Sequence, residues 1–146
     1  MKLLVKKVHP DAVIPTRSSE EAAGFDLTIC EDLELKPGET KTVSTGLKVA
    51  FCNGYKMEIV PRSGLSAKTP LRLANTPGTV DSDYRGEIKL ICHNISKTDT
   101  FSLPKGNRVA QAIFIKVEYP EIKVLDETEQ LPVSKRGSGG LGSTGL

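Results

Sequence analysis

Apolar and polar residues alternate along several stretches of this chain, and this period of two limits the fold more than any other feature. In Tyr55–Ile59 the apolar positions are separated by Lys56 and Glu58, and similar alternation runs through residues 87–92 and 109–117. Such alternation is typical of β-strands that bury one face and expose the other. The sequence contains no stretch with the period of a long amphipathic helix. We therefore expect an all-β fold.

Turn-forming residues divide the chain into short segments, which indicates many strands of modest length. The pairs Pro37-Gly38 and Asn53-Gly54 mark two of these turns. Further strands are predicted at Leu3–Val8, Leu33–Leu35, Lys41–Phe51, Thr100–Leu103 and Ile122–Leu125. The helical candidates are Ser18–Ala23 and a short stretch after Ser63. Many short strands at regular spacing predict a jelly-roll-like β-sandwich or barrel with one short helix.

The C-terminus differs in composition from the rest of the chain. Residues 136–145 contain five glycines beside Arg136, Ser143 and Thr144, and little that can be buried. We expect residues 1–133 to form one β domain and residues 134–146 to form a flexible arm. Glycines let backbone N–H groups approach a ligand closely, so their combination with an arginine and two hydroxyls indicates a phosphate clamp.

Length and charge limit the class of ligand. A chain of 146 residues suits one hydrophobic core but is short for a deep internal cleft, so a site for a whole nucleotide is expected to form between subunits. The 20 Lys and Arg nearly balance the 18 Asp and Glu, and no long basic run indicates nucleic-acid binding. The expected ligand is a small anion.

Cysteine content and the N-terminal residues favour a reducing compartment. There are three cysteines without a CxxC pair, and the first residues lack the apolar core of a signal peptide. We expect a cytoplasmic protein, or one of the host cell interior if the source is viral. No apolar run approaches the roughly 20 residues of a membrane helix, so no membrane partner is expected.

The segment Pro61–Lys68 combines groups that bind phosphate. A strand leads into Pro61, and Arg62, Ser63 and Gly64 then turn the chain into a short helical stretch. A phosphate at this turn would meet a guanidinium, a hydroxyl and free backbone N–H groups. An ordinary strand-to-helix turn with Ser63 as the N-cap accounts for the segment equally well.

Acidic residues follow Gly78 in a segment that belongs on a hairpin or its rim. Either Asp81 or Asp83 can deprotonate a water, as hydrolysis of a phosphoanhydride requires when no metal-bound hydroxide is present. Both acids also suit Asx turns, which the spacing by itself favours. Tyr84 suits a half-buried strand position as well as a ligand contact.

Possible metal ligands are few. Asp26 lies between apolar neighbours at a strand start and can hold Mg²⁺ through water, since magnesium keeps most of its hydration shell. His9 and His93 are far apart in sequence and lack flanking ligands. Zinc chemistry and a Ser-His-Asp triad therefore have no support, and we interpret both histidines as structural.

Five segments, taken in order, give a more specific signal than any one of them. They are Ala22–Leu27, Pro61–Leu65, Gly78–Gly86, Lys105–Gln111 and Arg136–Gly145. In residue type and spacing they resemble the five motifs of the trimeric deoxyuridine triphosphate nucleotidohydrolases (dUTPases), and the resemblance covers nearly the whole chain. It implies a jelly-roll homotrimer in which each of three sites takes residues from all three subunits.

The resemblance also implies an activity. The substrate dUTP would be hydrolysed to dUMP and pyrophosphate with Mg²⁺, which limits uracil incorporation into DNA and supplies dUMP for dTMP synthesis. Asp81 matches the general base that activates water for attack at the α-phosphorus, and Asp26 matches the acid that holds the hydrated magnesium. The positions that match substrate contacts are Arg62, Ser63, Gly64, Asn75, Gly78, Thr79, Val80, Tyr84, Lys89, Gln111, Arg136, Leu141, Gly142, Ser143 and Thr144.

The matched contacts divide according to the part of dUTP that they would face. Asn75 and the backbone around Thr79 and Val80 match the arm that reads uracil. Tyr84 matches the aromatic residue packed under the deoxyribose, where a ribose 2′-hydroxyl would clash. The phosphate contacts are matched by Arg62, Ser63, Gly64 and Gln111. The arm that closes over the γ-phosphate is matched by Arg136, Ser143 and Thr144.

Two positions depart from the family's pattern. Leu141 stands where the family usually has a phenylalanine that covers the uracil ring, so only apolar cover remains. Asn107 replaces a common acidic residue in the fourth motif, which changes local turn chemistry.

Two other functions fit the same fold class. One is a dCTP deaminase, which shares the fold but needs a glutamate base and a differently built base-reading loop. The other is a non-enzymatic jelly-roll protein, such as a capsid or regulatory binding module. The Asp81–Tyr84 pattern and the complete Arg136–Gly145 segment favour pyrophosphate release from dUTP over both.

Overall fold

A computed structural model describes residues 1–140, which form ten β-strands and one α-helix. The elements are β1 (Leu4–Lys7), β2 (Phe25–Thr28), β3 (Leu33–Leu35), β4 (Thr40–Ala50), β5 (Tyr55–Pro61), α1 (Ser63–Lys68), β6 (Leu71–Leu73), β7 (Gly78–Val80), β8 (Glu87–Asn94), β9 (Phe101–Leu103) and β10 (Arg108–Lys116). No helix within this range is both long and apolar enough to cross a bilayer.

The strands form two four-stranded antiparallel sheets and one two-stranded sheet. The strand orders are β1-β4-β8-β6, β2-β10-β5-β7 and β3-β9. Most neighbours in a sheet are distant in sequence, as the crossing connections of a jelly roll require. The prediction of an all-β, jelly-roll-like fold with one short helix is therefore confirmed.

The period of two read from the sequence places the hydrophobic core between the sheets. In β5, Met57 and Ile59 are buried, and in β8 the same alternation buries Ile88, Leu90 and Cys92. Burial raises the pKa of the Cys92 thiol to about 12, so this thiol stays protonated at neutral pH. The same alternation along β8 and β5 determines which side chains near the strand ends are exposed.

Two local predictions are wrong, and each fails for lack of a stabilising partner. Residues 18–23 form turns and bends, because this exposed, short segment has almost no apolar face to bury against the core. Residues 122–125 form no strand, since no neighbouring strand in the described chain pairs with them and Ile122 is 85% exposed. The alternative in which Ser63 is the N-cap is not observed, because Ser63 is the first residue of α1 and Arg62 is the N-cap, without a side-chain capping bond.

Asn94, at the end of β8, is a fully buried polar residue that joins three parts of the fold. Its amide nitrogen donates to the carbonyl oxygens of Leu35 at 3.1 Å, Lys36 at 3.2 Å and Asp99 at 2.8 Å. Its side-chain oxygen accepts a hydrogen bond from the Ser96 N–H at 3.0 Å. All polar atoms of the amide are thus satisfied, as burial requires.

Replacing Asn94 with alanine should lower the free energy of unfolding by about 2–3 kcal/mol, because buried carbonyl groups lose their donor. Urea denaturation at neutral pH would measure the change. The matched control is Asn107→Ala, which removes a single exposed bond to Pro104. The control should stay within about 0.5 kcal/mol of the parent. Equal effects of the two variants would contradict the assigned role of Asn94.

Candidate functional site

The first cluster of candidate residues surrounds the carboxylate of Asp26 on β2. Oδ1 pairs with Arg62 Nε at 3.0 Å, and Oδ2 pairs with Arg108 Nη1 at 3.0 Å. The Ser18 hydroxyl donates a further hydrogen bond to Oδ2 at 3.2 Å. Asp26 is only 9% exposed, so these donors compensate a charge that would be costly to bury unpaired. Two guanidiniums against one carboxylate leave the cluster with a net positive charge.

An open cavity of about 460 Å³ adjoins this cluster and is lined by Arg62, Ser63, Gly64, Lys68 and Gln111 together with Asp26. Ser63 and Gly64 open α1, so their N–H groups lie in the first turn, where no intrahelical acceptor exists. Two cationic side chains, a hydroxyl and free N–H groups suit a phosphate or another anion. Four of the predicted phosphate contacts therefore share one surface: Arg62, Ser63, Gly64 and Gln111.

The register of β10 carries Gln111 into this cavity. Gln111 lies opposite Asp26 on one side and Val60 on the other, and its Nε2 donates to the Pro61 carbonyl oxygen at 3.3 Å. Gly24 leaves the room for this side chain, because a Cβ added there would lie 2.4 Å from Gln111 Oε1. Gly24 of the first sequence motif thus lies directly beside Gln111 of the fourth.

A second cavity of about 650 Å³ collects the predicted base-reading residues and the predicted general base. Its lining includes Asn75, Gly78, Thr79, Val80, Asp81, Tyr84 and Lys89. Strand β7 supplies three of these residues and pairs with β5, so that Thr79 lies opposite Glu58. Asp81 follows β7 directly and begins a turn that the Tyr84 N–H closes onto the Asp81 carbonyl oxygen at 3.1 Å. Asp81 is exposed and faces solvent in this cavity.

The structure distinguishes the two acids that residue type and spacing left open and of which the family resemblance selected Asp81. Asp81 lines the cavity that contains the β7 arm. Both acids border a neighbouring groove with Asn53 and Tyr119, but Asp83 does not line the cavity that contains the arm. Asp81 is therefore the better placed base for a water bound beside the arm.

Glu87, which sequence reasoning missed, anchors the floor of the second cavity. Its carboxylate accepts hydrogen bonds from the Ser44 hydroxyl and from the Gly46 N–H, the latter at 2.9 Å. Both donors lie at the register shift of β4 between Ser44 and Leu47. Burial acts to raise the pKa of Glu87, but the two hydrogen bonds, together with the nearby Lys89 and His9, outweigh it and hold the pKa below its ordinary value of 4.5.

Arg108 and Lys68 are further functional candidates that the sequence analysis did not select. Arg108 lies within the fourth motif, three residues before Gln111, and its isolated positive charge at the start of an apolar strand was an available signal. Lys68 is the basic residue in the last turn of α1. It closes the segment that the sequence analysis linked to phosphate, but it was given no contact there, because its position depends on how α1 turns after β5.

The two cavities have no lining residue in common. Within one chain, the predicted base and base-reading arm are thus separate from the predicted phosphate cluster. Arg136 lines neither cavity, and its Nε donates to the Gly139 carbonyl oxygen at 2.7 Å. The remaining predicted contacts, Leu141, Gly142, Ser143 and Thr144, lie outside the residues that the structure describes.

Asp26 fits a metal ion only through water. Within residues 1–140, no group of three or more His, Cys, Asp or Glu side chains is placed to hold a metal directly. Oδ1 of Asp26 accepts from Arg62 and retains acceptor capacity, so it can receive a hydrogen bond from a metal-bound water. This donor set suits Mg²⁺, which keeps several waters and takes its remaining ligands from substrate phosphates.

Comparison with known proteins gives matches over almost the full length. A family model described as dUTPase matches residues 10–145. The deoxyuridine 5′-triphosphate nucleotidohydrolase of Nautilia profundicola is 48% identical over 145 residues, covering 99% of both chains. That of Wolinella succinogenes is 49% identical over 145 residues, covering 99% of this chain and 95% of its own. Among solved structures, the dUTPase of Staphylococcus bacteriophage 80alpha with dUPNHPP has a TM-score of 0.90 at 28% identity, covering 99% of both chains.

Glu87→Gln should lower the free energy of unfolding at pH 7 by about 1–2 kcal/mol, because two hydrogen bonds lose their charged acceptor. A pKa that is depressed in the folded state stabilises the protein above the unfolded pKa, and this contribution is lost as pH falls through the folded pKa. The difference between parent and variant should therefore shrink below about pH 4.5. Urea denaturation from pH 7 to pH 3 would test this, with the 86% exposed Glu118→Gln as the control. A difference that stays constant with pH would contradict it.

Proposed function

The chain belongs to the dUTPase family of hydrolases, and we propose that it converts dUTP to dUMP and pyrophosphate with Asp81 as the general base. The observation that carries this proposal is the position of Asp81 directly after β7, in the same cavity as Asn75 and Tyr84. In the cell, this reaction would limit uracil incorporation into DNA and supply dUMP for dTMP synthesis.

Uracil recognition is assigned to the β7 arm. Among the described strands, β7 is the edge of its sheet, so the backbone groups on the side away from β5 are available to a ligand. Uracil and cytosine carry opposite hydrogen-bond polarity at positions 3 and 4 of the ring. Fixed backbone groups around Thr79 and Val80, with the Asn75 amide, would therefore select uracil because a mismatched base leaves buried polar groups unpaired.

The chemical step needs a base, an oriented water and stabilisation of negative charge. The Asp81 carboxylate would take a proton from a water as that water attacks the α-phosphorus, and pyrophosphate would leave. Arg62, Lys68 and the N–H groups of Ser63 and Gly64 would hold the phosphate chain and neutralise its charge. Mg²⁺, held through water by Asp26, would supply further neutralisation of the triphosphate.

We further propose that the site forms between subunits of a homotrimer. Support comes from the separation of the Asp81 cavity from the Arg62 cluster, since substrate must contact both. Residues 117–140 also contain no strand and leave large apolar side chains exposed, including Val124 at 84% and Leu131 at 80%. Association with another copy would cover such residues. In this arrangement residues 1–133 form the β domain, and residues 134–146 close over a neighbouring subunit's site.

Asp81→Asn should reduce kcat by about 10²–10⁴ while KM for dUTP changes little, because the amide keeps the size of the side chain but cannot take the proton. The matched control is Asp83→Asn, a neighbouring acid outside the cavity, which should retain most of the turnover. Pyrophosphate release from dUTP and ammonia release from dCTP should be assayed separately. Normal pyrophosphate release by Asp81→Asn, or ammonia release by the parent, would refute the proposal.

Shared sites can be tested by mixing two inactive variants. One is Asp81→Asn, and the other is a chain that ends at Lys135. If a site takes Asp81 and the arm from different subunits, equal mixing with full exchange should restore about a quarter of the sites. Light scattering would establish the mass of the assembly, and each variant alone is the control. A monomeric mass, or no recovered activity after verified exchange, would contradict a shared site.

A further inference from the structure

The ring of Tyr84 rests directly on the backbone of Gly86. A Cβ added to Gly86 would lie 2.2 Å from Tyr84 Oη, 2.4 Å from Cζ and 2.9 Å from Cε2. Each of these distances is far below a normal carbon contact. Because the three atoms belong to a rigid phenol, no small rotation of a flexible side-chain end can relieve the overlap. Any side chain at position 86 therefore has to displace the ring or the turn.

The backbone at Gly86 does not itself require glycine. The glycines with positive φ among the described residues are Gly38, Gly46, Gly54, Gly106 and Gly137. Gly86 is outside this group, so an L-residue can adopt its conformation without backbone strain. What excludes a side chain at position 86 is the space that Tyr84 occupies. The glycine is therefore tied to the position of one particular side chain.

Two contacts define how far the Tyr84 ring extends into its cavity. The ring lies against the Gly86 backbone, which prevents it from moving further in that direction. Tyr84 Oη also donates a hydrogen bond to the Glu87 carbonyl oxygen at 3.1 Å. Glu87 is fixed in turn by its bonds to Ser44 and Gly46 on β4. The ring is not enclosed by the protein, since Tyr84 is 46% exposed and lines the cavity with Asp81 and Asn75.

We propose that Gly86 is a positioning residue that sets the discrimination between 2′-deoxyribose and ribose. By lacking a Cβ, it lets the Tyr84 ring lie at the depth where a deoxyribose packs on the open face and a 2′-hydroxyl has no room. This inference rests on the proposed function, because it takes the cavity to hold the sugar of dUTP. A ring pushed off this position would either obstruct the deoxyribose or admit the ribose, and both lower the preference for dUTP.

The preference can be measured as the Ki of UTP, used as a competitor, divided by the KM of dUTP. This ratio is measurable even when UTP is not turned over. Gly86→Ala should lower the ratio by about tenfold or more in a folded protein. The matched control is Gly24→Ala, whose added Cβ meets Gln111 in the phosphate cavity instead. Gly24→Ala should weaken both nucleotides equally and leave the ratio unchanged.

Two further variants separate the role of Gly86 from a general effect on folding. In a Tyr84→Ala background the ring is absent, so adding Gly86→Ala should change neither the ratio nor the melting temperature. Tyr84→Phe keeps the contact with Gly86 and loses the bond to Glu87, and it should keep the ratio within about threefold of the parent.

The outcomes distinguish this inference from the function on which it rests. If the parent protein fails to hydrolyse dUTP, the proposed function itself is contradicted. With an active parent, an unchanged ratio in folded Gly86→Ala would overturn the role of Gly86. If Gly86→Ala does not fold, two other results decide whether Gly86 has the proposed role. Loss of folding also in the Tyr84→Ala background, or a Tyr84→Phe ratio as low as that of Tyr84→Ala, would overturn it.

Discussion

The carboxylate of Asp26 joins parts of the chain that are far apart in sequence. It lies on β2, and its partners are Arg62, which directly follows β5, and Arg108, the first residue of β10. These three strands are neighbours in one sheet, so the ion pairs form where the sheet already brings the chain together. A buried ion pair is weak support for stability, since desolvation offsets most of the attraction. Its value here is orientation, because it holds the Arg62 guanidinium at the edge of a cavity while Arg108 pairs with the other oxygen of the same carboxylate.

The general fold follows from the sequence because the alternation of apolar residues reports burial directly. Met57, Ile59, Ile88 and Leu90 are spaced for one buried face, and the structure buries them. The same logic fails at residues 122–125, where alternation is present but no strand of the described chain lies beside it. It also fails at residues 18–23, where a serine and acidic residues resemble a helix start without a face to bury. Local pattern is therefore reliable here only where tertiary contacts complete it.

The candidate site shows the same division between what is local and what is not. Arg62, Ser63 and Gly64 were selected from one turn, and they do line one cavity. Residue type and spacing left Asp81 and Asp83 equally possible, and the family resemblance selected Asp81. The structure adds that, of the two, Asp81 lines the cavity with the β7 arm and Asp83 does not. Arg108 and Glu87 act through partners more than 40 positions away in sequence, and no short motif encodes such pairs. Their selection required knowledge of the strand register.

The buried thiol of Cys92 has a practical consequence for handling this protein. Since the thiolate is the reactive form, a thiol that stays protonated at neutral pH and lies in the core is protected from alkylating reagents. Cys30 is buried as well, which leaves Cys52, beside the Asn53-Gly54 turn, as the accessible cysteine. A maleimide dye should consequently label the unmodified chain at a single position. The label would lie on the turn that leads into β5 and needs no engineered cysteine.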